Sequence, residues 1–261
     1  ATSFQSLATV AVSDTTVSIA DLNGAIAQAN TATGGTTTVF SVASGATITT
    51  GDEAAFSTLL TNETNGNIAI TDQNLTVSTG TISVANAKLL AATTPGTVTA
   101  SIATTESVDS LKTLYDTGET NAYTITITSN AADTELSTAA EFNAINNATS
   151  VAVNATSVTA LASSNISDIK TLLTAGNDTN QFTATSFSSL ATVAVADSTL
   201  DVSDLNDSIA QANTATGGTS TSFTISSGGT INGGTAAEFT ALLGYESGTQ
   251  ISISNQNLTV D

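Results

Sequence analysis

The stretch ATSFQSLATVAVSDTT at residues 1–16 returns as ATSFSSLATVAVADST at residues 184–199. The match continues without a gap: residues 184–261 repeat residues 1–78 at an offset of 183 residues, and about 46 of the 78 aligned pairs are identical. A long internal period is the signature of a repeat architecture. We therefore interpret residues 1–261 as a single continuous array, about one and a half copies of a 183-residue unit, and expect it to be a window of a longer array.

A shorter rhythm lies inside this 183-residue unit. Eight segments carry apolar residues three or four positions apart, which is the spacing of one face of a helix. Successive segments are about 31 residues apart along the chain. Each segment predicts one short repeat, and they centre on Leu22/Ile26, Phe56/Leu59, Ala87/Leu90, Leu111/Leu114, Phe142/Ile145, Ile169/Leu172, Leu205/Ile209 and Phe239/Leu242.

The ends of these predicted helices carry capping signals. Residues 138–141 and 235–238 both read Thr-Ala-Ala-Glu, which is a capping box, and residues 18–21 resemble one. Gly118 and Gly176 follow helical segments, as expected for residues that end a helix.

Short runs of alternating or β-branched residues between the helices predict strands. The clearest runs are 8–12, 38–42, 67–71, 122–128, 150–153, 221–226 and 250–254, and a second run often follows, as at 74–77, 157–161 and 257–261. The fold class predicted is an α/β repeat protein, an elongated solenoid of about eight strand–strand–helix units.

The curvature of such a solenoid depends on how the strands pair. Strands in a sheet lie about 4.8 Å apart, whereas packed helices need about 8–10 Å. If both strands of a unit joined one sheet, the two spacings would nearly match. The paired runs favour this straighter arrangement.

The charge excludes several classes of partner. The chain has 22 acidic residues, three lysines, no arginine and no histidine, which gives a net charge of −19. Nucleic acid binding needs cationic side chains to neutralise phosphates, so it is excluded. No run of eighteen apolar residues is present, so no membrane insertion is expected. Salt or divalent cations should relieve the self-repulsion of this chain.

The sequence contains no catalytic constellation, and we predict no enzymatic activity, no catalytic residue and no organic cofactor. Histidine and cysteine, the usual general base and thiol nucleophile, are absent. Lys112 and Lys170 lie in the similar segments SLKTLYDTG and DIKTLLTAG. This similarity indicates equivalent positions in a repeat rather than two active sites.

Calcium is the one ligand for which the sequence offers candidate residues. Calcium binds six to eight oxygen atoms from carboxylates, carbonyl groups and water, and the turns here are rich in acidic side chains and free carbonyl groups. Asp14 and Asp21 have counterparts at Asp197 and Asp204 in the second copy, so these four are the candidate metal ligands. The competing interpretation is that an acid in a first helical turn, such as Asp21, serves only the helix dipole.

The segments VSIADLNGAIAQAN (17–30), SVDSLKTLYDTG (107–118) and NISDIKTLLTAG (165–176), set among Thr/Ala/Val strands, carry a family resemblance. The chain resembles the repeat regions of giant secreted cell-surface proteins of marine bacteria, especially picocyanobacteria. This resemblance implies an extracellular location and large acidic arrays, often calcium-dependent, that serve in adhesion, surface coats or motility.

The expected function is therefore a structural, non-catalytic segment of an extracellular fibre, surface layer or giant cell-surface protein, with neighbouring copies of the repeat as its partners. Two alternatives stay open. One is a calcium-dependent adhesin shaft that presents a binding site. The other is a segment of a viral tail fibre, which would be an intertwined trimer.

Overall fold

The structure is a computed structural model, which describes residues 4, 6–34, 38–115, 121–128, 136–218 and 221–260. Its contacts divide the chain into two compact units. Unit 1 consists of Ala1–Glu106 and Asp116–Thr124, and unit 2 of Ser107–Tyr115 and Ile125–Asp261. Both units are mixed α/β, as predicted. The predicted helix stop at Gly118 lies outside the described residues.

Eight α-helices lie in the described part of the chain, and all eight predicted segments are confirmed. The fourth is a single turn that continues as a 3₁₀ turn at Lys112–Leu114. The helices are α1 (Ile19–Ala32), α2 (Glu53–Thr64), α3 (Val84–Thr93), α4 (Val108–Leu111), α5 (Ala139–Asn147), α6 (Ile166–Gly176), α7 (Val202–Ala215) and α8 (Ala236–Ser247).

In most of these helices the side chain of the N-cap residue, directly before the first helical residue, accepts a hydrogen bond from a backbone N–H of the first turn. Thr138 and Thr235 form the two predicted capping boxes at α5 and α8, each exchanging bonds with the glutamate three positions later. Ser18 caps α1 by accepting from the backbone N–H of Asp21 at 3.4 Å. Gly176, predicted to follow a helix, is the last residue of α6, and Asn177 is its C-cap.

Fourteen short strands are present among the described residues. The predicted runs at 150–153 and 250–254 form only single bridges, Val153 with Phe182 and Ile251 with Phe223. The strands are β1 (Thr9–Val12), β2 (Thr16–Ser18), β3 (Val39–Val42), β4 (Thr47–Gly51), β5 (Ile68–Ala69), β6 (Asn74–Val77), β7 (Val98–Ser101), β8 (Ala122–Thr124), β9 (Ala160–Ser164), β10 (Thr192–Val195), β11 (Thr199–Asp201), β12 (Ser222–Ile225), β13 (Thr230–Gly234) and β14 (Asn257–Val260).

Every strand pair among the described residues is parallel and joins segments about one repeat apart. In unit 1 the sheets have the orders β1-β3-β5 and β2-β4-β6-β7-β8, and in unit 2 they have the orders β12-β10-β9 and β11-β13-β14. Thr9, for example, is opposite Val39. Parallel strands need a crossover connection, and here a helix follows the second strand of most repeats.

The two strands of one repeat enter different sheets, so the predicted pairing within one sheet is wrong. β1 pairs with β3, whereas β2 pairs with β4. Each sheet therefore gains one strand per helix, and the argument for a straight rod does not apply. The sequence pattern could not decide this, because alternation shows which residues face the core but not which strand lies alongside.

Helices pack side by side within each unit, α1 to α2 to α3 in unit 1 and α5 to α6 to α7 to α8 in unit 2. The core lies between these helices and the strands. All sixteen apolar residues that mark the predicted helix faces are buried, among them Phe56, Leu59, Leu114, Phe142, Ile145, Ile169, Leu172, Phe239 and Leu242.

Candidate functional site: the contacts between repeats

Polar side chains near the helix starts form hydrogen bonds or ion pairs with groups of the following repeat. Counting the N-cap residue as zero, the fifth residue of five helices (α1, α4, α5, α6 and α7) reaches the third residue of the following helix. In three cases the fifth residue is an asparagine whose amide N–H donates to a backbone carbonyl. These contacts are Asn23 to Ala55 (3.0 Å), Asn143 to Asp168 (3.0 Å) and Asn206 to Glu238 (2.9 Å). We call this set the helix-start ladder.

All three lysines occupy this fifth position, and two of them, Lys112 and Lys170, extend the helix-start ladder with ion pairs. Lys112 Nζ binds Glu141 Oε1 at 2.7 Å and also contacts Asp109. Lys170 Nζ binds Asp204 Oδ1 and Asp207 Oδ2, both at 2.8 Å. The two lysines are thus at equivalent positions, as their similar sequence surroundings predict.

These ion pairs shift the titration of their members. Hydrogen bonds to Asp109 and Glu141 raise the pKa of Lys112, and bonds to Asp204 and Asp207 raise the pKa of Lys170. Burial raises the pKa of Glu141, but bonds from Lys112 and Thr138 outweigh it, so that this pKa lies below its ordinary value. These bonds favour the protonated form of both amines.

The N-terminus of α3 is held by a glutamate of the preceding repeat. Glu53 Oε1 accepts from the backbone N–H and the hydroxyl of Ser83, each at 2.9 Å, and from the amide of Asn86 at 2.6 Å. The backbone bond from Ser83, with the bond from Asn86, lowers the pKa of Glu53. A carboxylate at this position satisfies free N–H groups and is favoured by the helix dipole.

Side-chain oxygens of the following repeat bind the first N–H of three helices. The first N–H groups of a helix have no partner within it, so an acceptor from a neighbour joins two repeats directly. The acceptors are Glu106 on Val84 (2.9 Å), Ser164 on Ala139 (2.9 Å) and Asp197 on Ile166 (2.6 Å).

At the starts of α1 and α7, a glycine of the next repeat makes room for the β-branched first residue of the helix. Gly51 directly precedes the N-cap of α2, and a Cβ there would lie 2.3 Å from Cγ2 of Ile19. Gly234 has the same position before α8, and its Cβ would lie 1.9 Å from Cγ1 of Val202. Both distances are far below van der Waals contact, so these glycines are fixed by packing between repeats.

The four candidate calcium ligands lie in these same regions. Asp14 is exposed in the turn between β1 and β2, and Asp21 is exposed in the first turn of α1. Their counterparts have protein partners: Asp197 accepts from the N–H of Ile166, and Asp204 is paired with Lys170. Within the residues that the structure describes, no three carboxylates are grouped so as to hold a metal ion. A specific calcium site stays a prediction.

The helix-start ladder is the feature that sequence reasoning missed. Its signal is present in the sequence: Asn23 and Asn206 are separated by the 183-residue offset, and Asn143 follows its N-cap at the same interval. What hides it is that the interacting position carries asparagine in some repeats and lysine in others, so that no single motif recurs.

Comparisons with known proteins add no relative: neither a family model nor a curated protein nor a solved structure matches this chain significantly. Of the helices that the structure describes, none combines the length and the apolar character needed to cross a bilayer.

Proposed function

We propose that this chain is a structural, non-catalytic segment of an extracellular fibre, surface layer or giant cell-surface protein, built as an elongated α/β solenoid. The observation that carries the proposal is the helix-start ladder together with the N-terminal contacts. In these contacts, side chains at equivalent positions of several repeats bind the neighbouring repeat. These polar side chains therefore hold adjacent repeats together.

The chemistry of the side chains supports a structural role over catalysis. Lys112 and Lys170 are engaged in ion pairs and the chain has no histidine or cysteine. Carboxylates such as Glu53 and Asp197 are bound to helix starts. These groups position neighbouring repeats rather than a substrate.

The repeat construction also supports assembly with neighbouring copies as the main interaction. In a solenoid each repeat contacts only its neighbours, and stability is roughly the sum of repeat and interface terms. One repeat cannot bury its apolar face alone, so length is gained by adding copies. The charge of −19 keeps such an array soluble in salt and favours cation binding, calcium included.

Solution mass and small-angle X-ray scattering test this proposal together. We expect a monomer of 25.8 kDa with a radius of gyration clearly above about 18 Å, the value for a compact domain of this length. A trimer would favour the viral tail fibre, and a monomer at about 18 Å would overturn the solenoid. For the location, antibodies to the chain should label intact cells of the source organism; labelling only after lysis would contradict an extracellular role.

A further inference from the structure

The same side chains are buried in the second copy of the repeat and uncovered in the first. Phe187 is fully buried, whereas its counterpart Phe4 is 62% exposed. Val193 of β10 is fully buried, whereas Val10 of β1, in the identical run TVAV, is partly exposed. The first copy therefore exposes apolar side chains that are buried in the second copy.

The structure shows what covers this surface in the second copy. The ring of Phe187 makes edge contacts with Phe142 and Phe182, with centroid distances of 6.1 and 5.0 Å. A Cβ on Gly176 of α6 would lie 2.8 Å from the same ring. All three partners belong to the preceding segment 136–183, which packs against this phenylalanine.

Backbone pairing shows the same difference between the copies. β10 pairs with β9 on one side and β12 on the other. At the ends of β10, the backbone N–H of Ala191 donates to the carbonyl of Thr159 at 2.7 Å and that of Ala196 to the carbonyl of Ser164 at 2.8 Å. Among the described residues β1 pairs only with β3, so its other edge is open.

Two carboxylates complete the comparison. Asp197 binds the first N–H of α6 and Asp204 binds Lys170 of α6. Their counterparts Asp14 and Asp21 are both exposed in the first copy. Asp14 and Asp21 therefore occupy the positions that bind helix α6 in the second copy. In the described part of the chain no helix precedes them.

We propose that the face formed by Phe4, the open edge of β1, Asp14 and Asp21 docks a repeat with the sequence of residues 136–183, supplied by a preceding copy of the 183-residue unit. The inference rests on the proposed function and names the surface through which copies join. Residue 183 runs directly into residue 184, the counterpart of residue 1. Consecutive copies therefore need no linker, and Asp14 and Asp21 serve as interface residues.

The test is an extended chain in which residues 107–183 precede residue 1, so that the new junction reproduces the one between residues 183 and 184. The chain contains no tryptophan, so Phe4→Trp provides a single fluorescent reporter. We expect solvent-like emission from this variant in the 261-residue chain and emission at shorter wavelength in the extended chain. We also expect amide exchange in residues 9–12 to slow by about tenfold or more, as for strands that become paired on both edges.

Matched variants decide whether the named residues form the interface. Phe4→Ala, and Asp14→Asn with Asp21→Asn, should lower the melting temperature of the extended chain by more than that of the 261-residue chain. Asp197→Asn should lower the melting temperature of both. Equal effects of the Phe4 and Asp14/Asp21 variants in the two chains would overturn the proposal, as would unchanged tryptophan emission and exchange.

Failure here is distinguishable from failure of the proposed function. If the added residues 107–183 are protected from exchange but the tryptophan emission of the Phe4→Trp variant stays solvent-like, the repeats fold and this docking surface is wrong. If scattering from the 261-residue chain gives a compact particle, the solenoid itself is wrong.

Discussion

Gly234→Ala should destabilise the protein because the new methyl group has no space. Gly234 has no positive φ, so its backbone alone would tolerate alanine. The added Cβ would lie 1.9 Å from Cγ1 and 3.3 Å from Cβ of Val202, where ordinary contacts are 3.4–4 Å. Val202 is fully buried at the first position of α7 and cannot swing into solvent.

The size of the effect follows from two opposing contributions. Overpacking a core position costs about 1–3 kcal/mol, and replacing glycine by alanine recovers about 0.4–1 kcal/mol through the unfolded chain. The net loss should be about 1–2 kcal/mol. At about 2–4 °C per kcal/mol for a chain of this size, the melting temperature should fall by roughly 2–8 °C.

Calorimetric melting compares this variant with a matched control. Gly244→Ala lies in α8 with nothing within 4 Å of the new Cβ, so it should be neutral or stabilise by up to about 1 kcal/mol. Combining Gly234→Ala with Val202→Ala should cost less than the sum of the two single changes, because the second makes room for the first. Strict additivity, or equal melting of the Gly234 and Gly244 variants, would refute the proposed contact between repeats.

Two further predictions concern ions. At fixed ionic strength, a calcium titration with magnesium as control separates specific binding from screening: a saturating rise in melting temperature for calcium alone, lost on Asp14→Asn with Asp197→Asn, would establish the site. Equal rises in melting temperature for calcium and magnesium would remove Asp14, Asp21, Asp197 and Asp204 as ligands. Monovalent salt should still raise the melting temperature, because the Debye length falls from about 8 Å at physiological salt to about 3 Å at 1 M and the repulsion between carboxylates is screened. The third prediction concerns pH. Because the pKa of Glu53 is lowered in the folded chain, ionised Glu53 contributes its full stabilisation of the fold above the ordinary glutamate pKa of 4.5, and this contribution is lost as pH falls through the folded-state pKa. Glu53→Gln should therefore melt lower than the parent at pH 7, with the difference shrinking in acid; a constant difference would contradict the assignment.

The helices were predictable from the sequence because two independent signals coincide. Apolar spacing placed Phe142/Ile145 and Phe239/Leu242 on one helix face, and the Thr-Ala-Ala-Glu capping boxes marked where these helices begin. Side-chain burial follows directly from such periodicity.

Strand pairing was less predictable. β2 and β4 are three to five residues long and contain few apolar residues, so they were missed, and with them the second sheet. A short strand is stabilised by the neighbours that it pairs with, and these are about 30 residues away in the sequence. Local pattern therefore cannot assign it to a sheet.

The contacts between repeats could be predicted only in part. The equivalence of Lys112 and Lys170 was visible in their similar segments, but their partners Glu141 and Asp204 belong to the next helix and depend on how helices stack. The role of Gly234 was hidden for the same reason, because its constraint is the side chain of Val202 in another repeat.

The central claim, that repeats are stabilised chiefly by their neighbours, is tested most directly by hydrogen exchange on a matched pair of variants. Leu59 and Leu242 are counterparts at the 183-residue offset, and both are fully buried. Truncating a buried leucine to alanine should cost about 2–5 kcal/mol. For Leu59→Ala we expect faster exchange in α1, α2, α3 and their strands, with residues 184–260 unchanged. For Leu242→Ala we expect faster exchange in α7, α8 and their strands, with residues 6–78 unchanged. Loss of protection spread evenly along the chain in either variant would contradict the account.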